Sequence, residues 1–135
     1  MNRQLSKNIE VSWGDLDALN HVNNMTYLRY MEDTRMVWFS SMGDDMGASD
    51  SAPAVVNINI NYRREIRYPS HLTVNLKISQ ASEKRVLHEY TIADRDDPEV
   101  VYADAELTLV WVDYSSKLSV PVPARVRASI NQQAH

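Results

Sequence analysis

Residues 13–35 read WGDLDALNHVNNMTYLRYMEDTR, and the chain changes character part-way through them. Residues 14–27 crowd two carboxylates (Asp15, Asp17), one imidazole (His21) and three side-chain amides (Asn20, Asn23, Asn24) into a short span. From about Asn24 to Met42, Leu28, Met31, Arg35, Trp38 and Met42 recur at spacings of three and four. That is the stripe of an amphipathic helix, with Arg35 its one charged member. Asn23 or Asn24 suits the N-cap, Asn20 suits a left-handed turn, and Gly43 stands where helices commonly end. A helix of about nineteen residues is close to 28 Å long, enough to cover one face of a sheet.

Outside this stretch the periodicity is that of strands. Ile9, Val11 and Trp13 alternate with Glu10 and Ser12 ahead of it. After it, Val56, Ile58, Ile60 and Tyr62 alternate with Asn57, Asn59 and Asn61, and Leu72, Val74, Leu76 and Ile78 with Thr73, Asn75 and Lys77. Residues 86–92 and 100–111 are two further β-rich runs. Turn signals at 68–70, 82–84 and 94–98 separate them, and 44–51 (DDMGASDS) is a polar loop. The tail from Pro121 onward reads as a terminal segment on the surface. Short connections imply antiparallel pairing, since a parallel crossover needs a dozen or more residues. The expectation is α+β, one long helix on an antiparallel sheet, with residues 1–135 a single domain. One helix leaves sheet surface uncovered, and a homodimer is the economical cover.

Composition narrows the chemistry. A formal net charge of −4 argues against nucleic acid or an anionic membrane as partner. The chain has no cysteine, which removes disulfides, thiolate metal sites and cysteine nucleophiles. Neither a signal peptide nor a run of ~20 apolar residues is present, so a cytoplasmic location is expected. With 3 glycines, a phosphate-cradling glycine loop is not expected.

The polar crowd itself admits three readings. It can be a helix start, with Asp15 and Asp17 complementing the dipole and His21 a turn histidine. It can be acyl-transfer hardware. Unpaired N–H groups at a helix N-terminus form a site for developing negative charge, and an aspartate upstream can attack a carbonyl or deprotonate a water that does. His21 would then orient the carboxylate or donate a proton. The third reading is a metal site on Asp15, Asp17 and His21, but Asp15 and Asp17 would point to opposite sides of an extended segment.

Taken together, Trp13-Gly14-Asp15-x-Asp17-x-x-x-His21-Val22-Asn23-Asn24-x-x-Tyr27-x-x-Tyr30-x-Glu32-x-x-Arg35 strongly resembles the hotdog-fold acyl-CoA thioesterases. The nearest branch is the 4-hydroxybenzoyl-CoA thioesterase-like one. Tyr62-Arg63-Arg64, the three strands after it and Pro121-Val122-Pro123 extend the likeness over nearly the full chain. The resemblance implies a long central helix wrapped by a curved antiparallel sheet, in a homodimer or homotetramer. It implies hydrolysis of an acyl-CoA to a carboxylic acid and free thiol, with no cofactor or metal beyond the coenzyme A of the substrate. Asp17 matches the catalytic aspartate, the carbonyl-polarising N–H falls at or next to Asn24, and His21 matches a histidine of a large branch. Asn23, Tyr27, Arg63 and Arg64 are the candidate substrate contacts, the arginines for coenzyme A phosphates. One departure stands out: plant-type acyl carrier protein thioesterases place asparagine two residues after the aspartate, where this chain has Leu19, so Asn20 is left to the turn. Two rival readings are a hotdog hydratase acting on enoyl thioesters and a non-catalytic acyl-thioester-binding dimer.

Overall fold

The computed structural model describes residues 2–43 and 50–132. In chain order these form β1 (Asn2–Glu10), a 3-10 turn (Trp13–Asp15), α1 (Asn24–Ser41), β2 (Ser51–Tyr62), β3 (His71–Gln80), β4 (Val86–Asp94), β5 (Val101–Asp113), β6 (Ser119–Val120) and α2 (Ala124–Asn131). Most of the polar loop expected at 44–51 lies outside the described residues. The strands form one antiparallel sheet in the order β1-β3-β4-β5-β2. The two-residue β6 pairs with β5 at Trp111 and Val112, beyond the point where β4 ends.

Register explains where the core lies. Cross-strand rows such as Val74–Ile92–Ala103 and Ile78–His88–Leu107 line one face, and every member of them is buried. The opposite face is polar, with rows such as Lys77–Glu89–Glu106. Helix α1 covers the apolar face through Tyr27, Tyr30, Met31, Thr34, Arg35, Trp38 and Phe39. Its buried stripe is rotated slightly from the sequence expectation. Tyr27, Tyr30 and Phe39 are buried, whereas Leu28 and Met42 pack only partly against the core. Asn23 is the N-cap, its side chain accepting the Met25 N–H at 2.9 Å. Gly43 follows the helix with φ +62°, and Asn20 has φ 66°, both left-handed as expected.

Two features depart from the sequence reading. The tail is not a surface segment: α2 docks on the core, with Val122, Val126 and Ile130 buried. A buried Trp38 indole N–H donates to Ser129 Oγ on α2 at 2.9 Å, and Arg3 on β1 donates to the same oxygen at 2.9 Å. The first strand also differs: β1 ends at Glu10, and Trp13 lies in the 3-10 turn, 74% exposed. Arg35, the one charged member of the helix stripe, is buried between α1 and the sheet, its Nη1 donating to the Tyr90 hydroxyl at 3.1 Å.

The helix does not cover the whole sheet. On β2, Ile58 and Tyr62 face the same side as buried Leu107 and Ala103, yet they stay 41% and 43% exposed. Val56, at an irregularity in the β2–β5 register, is 52% exposed. The other edge of β2 has no strand partner among the described residues.

Candidate active site

The segment between the 3-10 turn and α1 is a tight loop closed at its base. Leu16 and Val22 form an isolated antiparallel bridge. The Asp17 N–H donates to the His21 carbonyl at 2.9 Å, and the Asn20 N–H to the Asp17 carbonyl at 3.0 Å. Asn20 makes the left-handed turn, as asparagine tolerates. The Val22 N–H donates to the Ile66 carbonyl at 2.8 Å, joining the loop to the segment that follows β2.

Within this loop the two aspartates differ. Asp15 is buried: its Oδ2 accepts from the Ser12 N–H at 3.0 Å and the Tyr30 hydroxyl at 2.7 Å, and its Oδ1 from Arg29 at 2.6 Å. Burial alone would raise its pKa. The bonds from Ser12, Tyr30 and Arg29 outweigh that and hold the carboxyl below its ordinary range. The dipole role expected for Asp15 therefore gives way to a buried, fully bonded carboxylate. Asp17 keeps a more open position. Its Oδ1 accepts the Leu19 N–H at 2.8 Å, and its Oδ2 lies 3.7 Å from His21 Nδ1.

His21 links this carboxylate to a groove. Its Nδ1 is 3.3 Å from the Val22 carbonyl, which can only accept, so that bond requires the hydrogen on Nδ1 and leaves Nε2 as the acceptor of the neutral ring. Nε2 lies 3.9 Å from Glu65 Oε1. The groove encloses about 210 Å³ and is lined by His21, Asn24, Tyr27, Tyr62, Arg63, Arg64 and Glu65. Asn24, the first residue of α1, lines it, and its N–H has no acceptor among the described residues; the Asn23 side chain takes the Met25 N–H and the Asn23 carbonyl that of Thr26. A free N–H at a helix start is suited to a developing oxyanion. Tyr62 donates to the Asn24 carbonyl at 3.0 Å and Tyr27 to the Arg64 carbonyl at 3.1 Å, so the two tyrosines cross-brace the helix start and the end of β2.

The residues singled out from sequence thus fall unequally. His21, Asn24, Tyr27, Arg63 and Arg64 share the groove, and Asp17 adjoins it through His21. Asn23 lies outside the lining and caps the helix. Arg63 is engaged by Asp104 at 2.7 Å, and Arg67 by Glu65 at 3.0 Å; Arg64 has no acidic partner among the described residues. Glu65 and Tyr62 were not expected as site residues. Their contacts with His21 and Asn24 cross from the β2 end to the helix start, and no local pattern signals that. A larger hollow of about 530 Å³ on the outer face holds only a solvated Lys77–Glu89 pair and no comparable set of groups.

The family model of the thioesterase-like superfamily matches residues 11–130. The chain belongs to that superfamily. Among curated relatives, the long-chain acyl-CoA thioesterase FadM of Escherichia coli (strain K12) is 33% identical over 128 residues, spanning 92% of this chain and 95% of the relative. A solved structure of a candidate thioesterase from Pseudomonas aeruginosa aligns with TM-score 0.84 at 31% identity, over 92% of this chain and 95% of that one. The 1,4-dihydroxy-2-naphthoyl-CoA thioesterase of Synechocystis aligns with TM-score 0.88 at 22% identity, over 95% of this chain and 96% of that one; at that identity it speaks for the fold alone. The fold is the hotdog, and the enzyme is a thioester hydrolase.

Proposed function

We propose that this hydrolase acts on acyl-CoAs, releasing a carboxylic acid and free coenzyme A, with Asp17 as the essential carboxylate. One juxtaposition carries the reading: Asn24, the first residue of α1, lines the same groove as His21, whose ring adjoins Asp17, and its N–H has no acceptor among the described residues. Asp17 takes a proton from water as the water oxygen bonds to the thioester carbon, or bonds to that carbon itself and is freed by water later. The carbonyl electron pair moves onto oxygen, facing the Asn24 N–H, an interaction worth about 3–4 kcal/mol per donor. As the carbon–sulfur bond breaks, the proton that left the water ends on the thiolate sulfur, giving free thiol, and His21, beside Asp17, assists that transfer.

Arg64, unpaired and in the groove, is the best placed cation for a coenzyme A phosphate. Arg63 is already committed to Asp104. The working unit is a homodimer paired along the free edge of β2, where Ile58, Val56 and Tyr62 would be covered. The groove of one protomer is small, so the acyl chain would run on against the partner. The relative's long-chain specificity makes long acyl chains the first choice. A cytoplasmic location belongs to the same reading; among the described residues no helix is long and apolar enough to cross a membrane.

Thiol release from short, aromatic and long acyl-CoAs, measured for the wild type and Asp17→Asn side by side, tests this. A positioned general base typically contributes about 10²–10⁴-fold, and the asparagine variant should lose that much with its fold intact. Near-wild-type release by Asp17→Asn would remove Asp17 from the mechanism. Water addition to crotonyl-CoA without thiol release would indicate a hydratase instead.

A further inference from the structure

The reading above gives Asp17 and Asn24 the chemistry but does not say what holds them at a working separation. They belong to different elements, a loop and a helix start, and six residues of chain lie between them. Loops of this kind drift unless something closes them, and a misplacement of about 1 Å at a reacting centre can cost about 10²-fold in rate.

Asp15 occupies the joint. Its side chain reaches forward to α1, bonded to Tyr30 at 2.7 Å and Arg29 at 2.6 Å. It also reaches back to the Ser12 N–H at 3.0 Å, bracing the 3-10 turn. Its own carbonyl accepts the N–H of Asn23, the residue that caps α1 and precedes Asn24, at 3.0 Å. Two residues further on the chain reaches Asp17. One residue therefore ties the loop that carries Asp17 to both the N-cap and the second turn of the helix that begins at Asn24. Burial strengthens the tie, because a carboxylate removed from water has its bonded donors as its only stabilisation and cannot exchange them for solvent.

We propose that Asp15 is a positioning residue of the hydrolase: it touches no substrate, and it sets the distance between the Asp17 carboxylate and the Asn24 N–H. This rests on the thioesterase reading and adds to it a residue acting through Asp17. Asp15→Asn keeps an acceptor for Ser12 or Tyr30 but turns its amide against the Arg29 donor, so the joint loosens without a large change in shape. Tyr30→Phe removes one bond of the three and leaves the charge in place.

The experiment is steady-state thiol release with the best acyl-CoA of the panel, for the wild type, Asp17→Asn, Asp15→Asn, Tyr30→Phe and Ser129→Ala, each with its thermal midpoint. Ser129 lies near the opposite end of α1 and serves as a control for loss of stability alone. The expected result is a fall in kcat of about tenfold or more for Asp15→Asn and a smaller fall for Tyr30→Phe, with KM within about threefold in both. Ser129→Ala should keep wild-type kcat at a comparable loss in thermal midpoint. If Asp15→Asn and Tyr30→Phe also keep wild-type kcat while Asp17→Asn is inactive, the positioning role is overturned and the thioesterase reading stands. Should Asp15→Asn fail to fold, Tyr30→Phe against Ser129→Ala decides the matter by the same criterion. No thiol release from the wild type overturns both.

Discussion

Helix α1 carries two polar networks that are built differently. Under its middle, Arg35 donates to the Tyr90 hydroxyl at 3.1 Å, and that hydroxyl lies 2.9 Å from His88 Nδ1. Arginine can only donate, so the tyrosine oxygen accepts from it, and His88 Nε2 has no hydrogen-bond partner among the described residues. Trp38 meets the His88 ring edge to face at 5.2 Å and sends its indole N–H to Ser129. At the start of the helix His21 keeps Nδ1 toward a carbonyl, and its ring lines the groove. The middle network turns inward and binds helix to sheet. At the start, Asn24 and His21 line a space a substrate can enter, with the Asp17 carboxylate adjoining it through His21. Polar groups alone do not mark a site in this molecule; polar groups left open to a groove do.

The sharpest way to break that contrast is acid. Burial, with Arg35 adding to it, pushes the His88 pKa down to about 3. In the unfolded chain the same group titrates near 6.5, so below that pH the unfolded state binds a proton that the folded state refuses. Stability is therefore complete above about pH 6.5 and falls as the pH drops toward 3, at up to about 1.4 kcal/mol per unit. The carboxyls held low, Asp15 among them, lose their contribution only at lower pH, so the window from 7 to 5 belongs to the histidines, of which His88 is the buried one held low. Urea unfolding across that window should show the slope in the wild type and lose most of it in His88→Leu. An unchanged slope in that variant would assign the acid sensitivity elsewhere.

How much of this the sequence disclosed follows from how local each feature is. The four later long strands, the helix, the Asn23 cap and the left-handed Asn20 each depend on residues within a few positions and stand where the pattern put them, whereas the first strand ends at Glu10, short of Trp13. That Asp17, His21 and Asn24 lie near one another was legible because one short stretch, running from the loop into the start of α1, carries all three. Asp15 was not, because a reading by spacing treats Asp15 and Asp17 alike. Only Tyr30 and Arg29, brought over by the helix, bury one and spare the other. The same holds for Glu65 beside His21 and for Arg35, Tyr90 and His88, which meet through the placement of α1 on β4. The tail was misread although Val122, Val126 and Ile130 recur every four residues. Two prolines ahead of a helix of 8 residues gave it the look of a coil.

A smaller effect separates the two networks from the other side. Ser129→Ala leaves the Trp38 indole N–H buried without an acceptor, a loss expected to cost about 1–3 kcal/mol. It also frees the Arg3 guanidinium, which has Gln132 and the Ser129 carbonyl to fall back on. A drop in urea midpoint with kcat held would keep the middle network structural. A parallel loss of kcat would mean that the two ends of α1 are coupled after all.

The smallest effect bears on Asn23, whose place among the candidate substrate contacts conflicts with its geometry. Its side-chain oxygen is already occupied by the Met25 N–H at 2.9 Å, and the groove is lined by its neighbour Asn24 instead. A cap of this kind is worth about 1 kcal/mol, and serine serves nearly as well as asparagine. Asn23→Ala should therefore lose about that much stability and Asn23→Ser very little, with KM for the acyl-CoA unchanged in both. A residue holding substrate through its amide would behave otherwise: serine, too short and lacking the amide, would raise KM as much as alanine while stability recovered. The cap reading requires stability and KM to part company in these two variants. It also accounts for the donors at the helix start: Asn23 takes the Met25 N–H with its side chain and the Thr26 N–H with its carbonyl, which leaves the Asn24 N–H without an acceptor among the described residues.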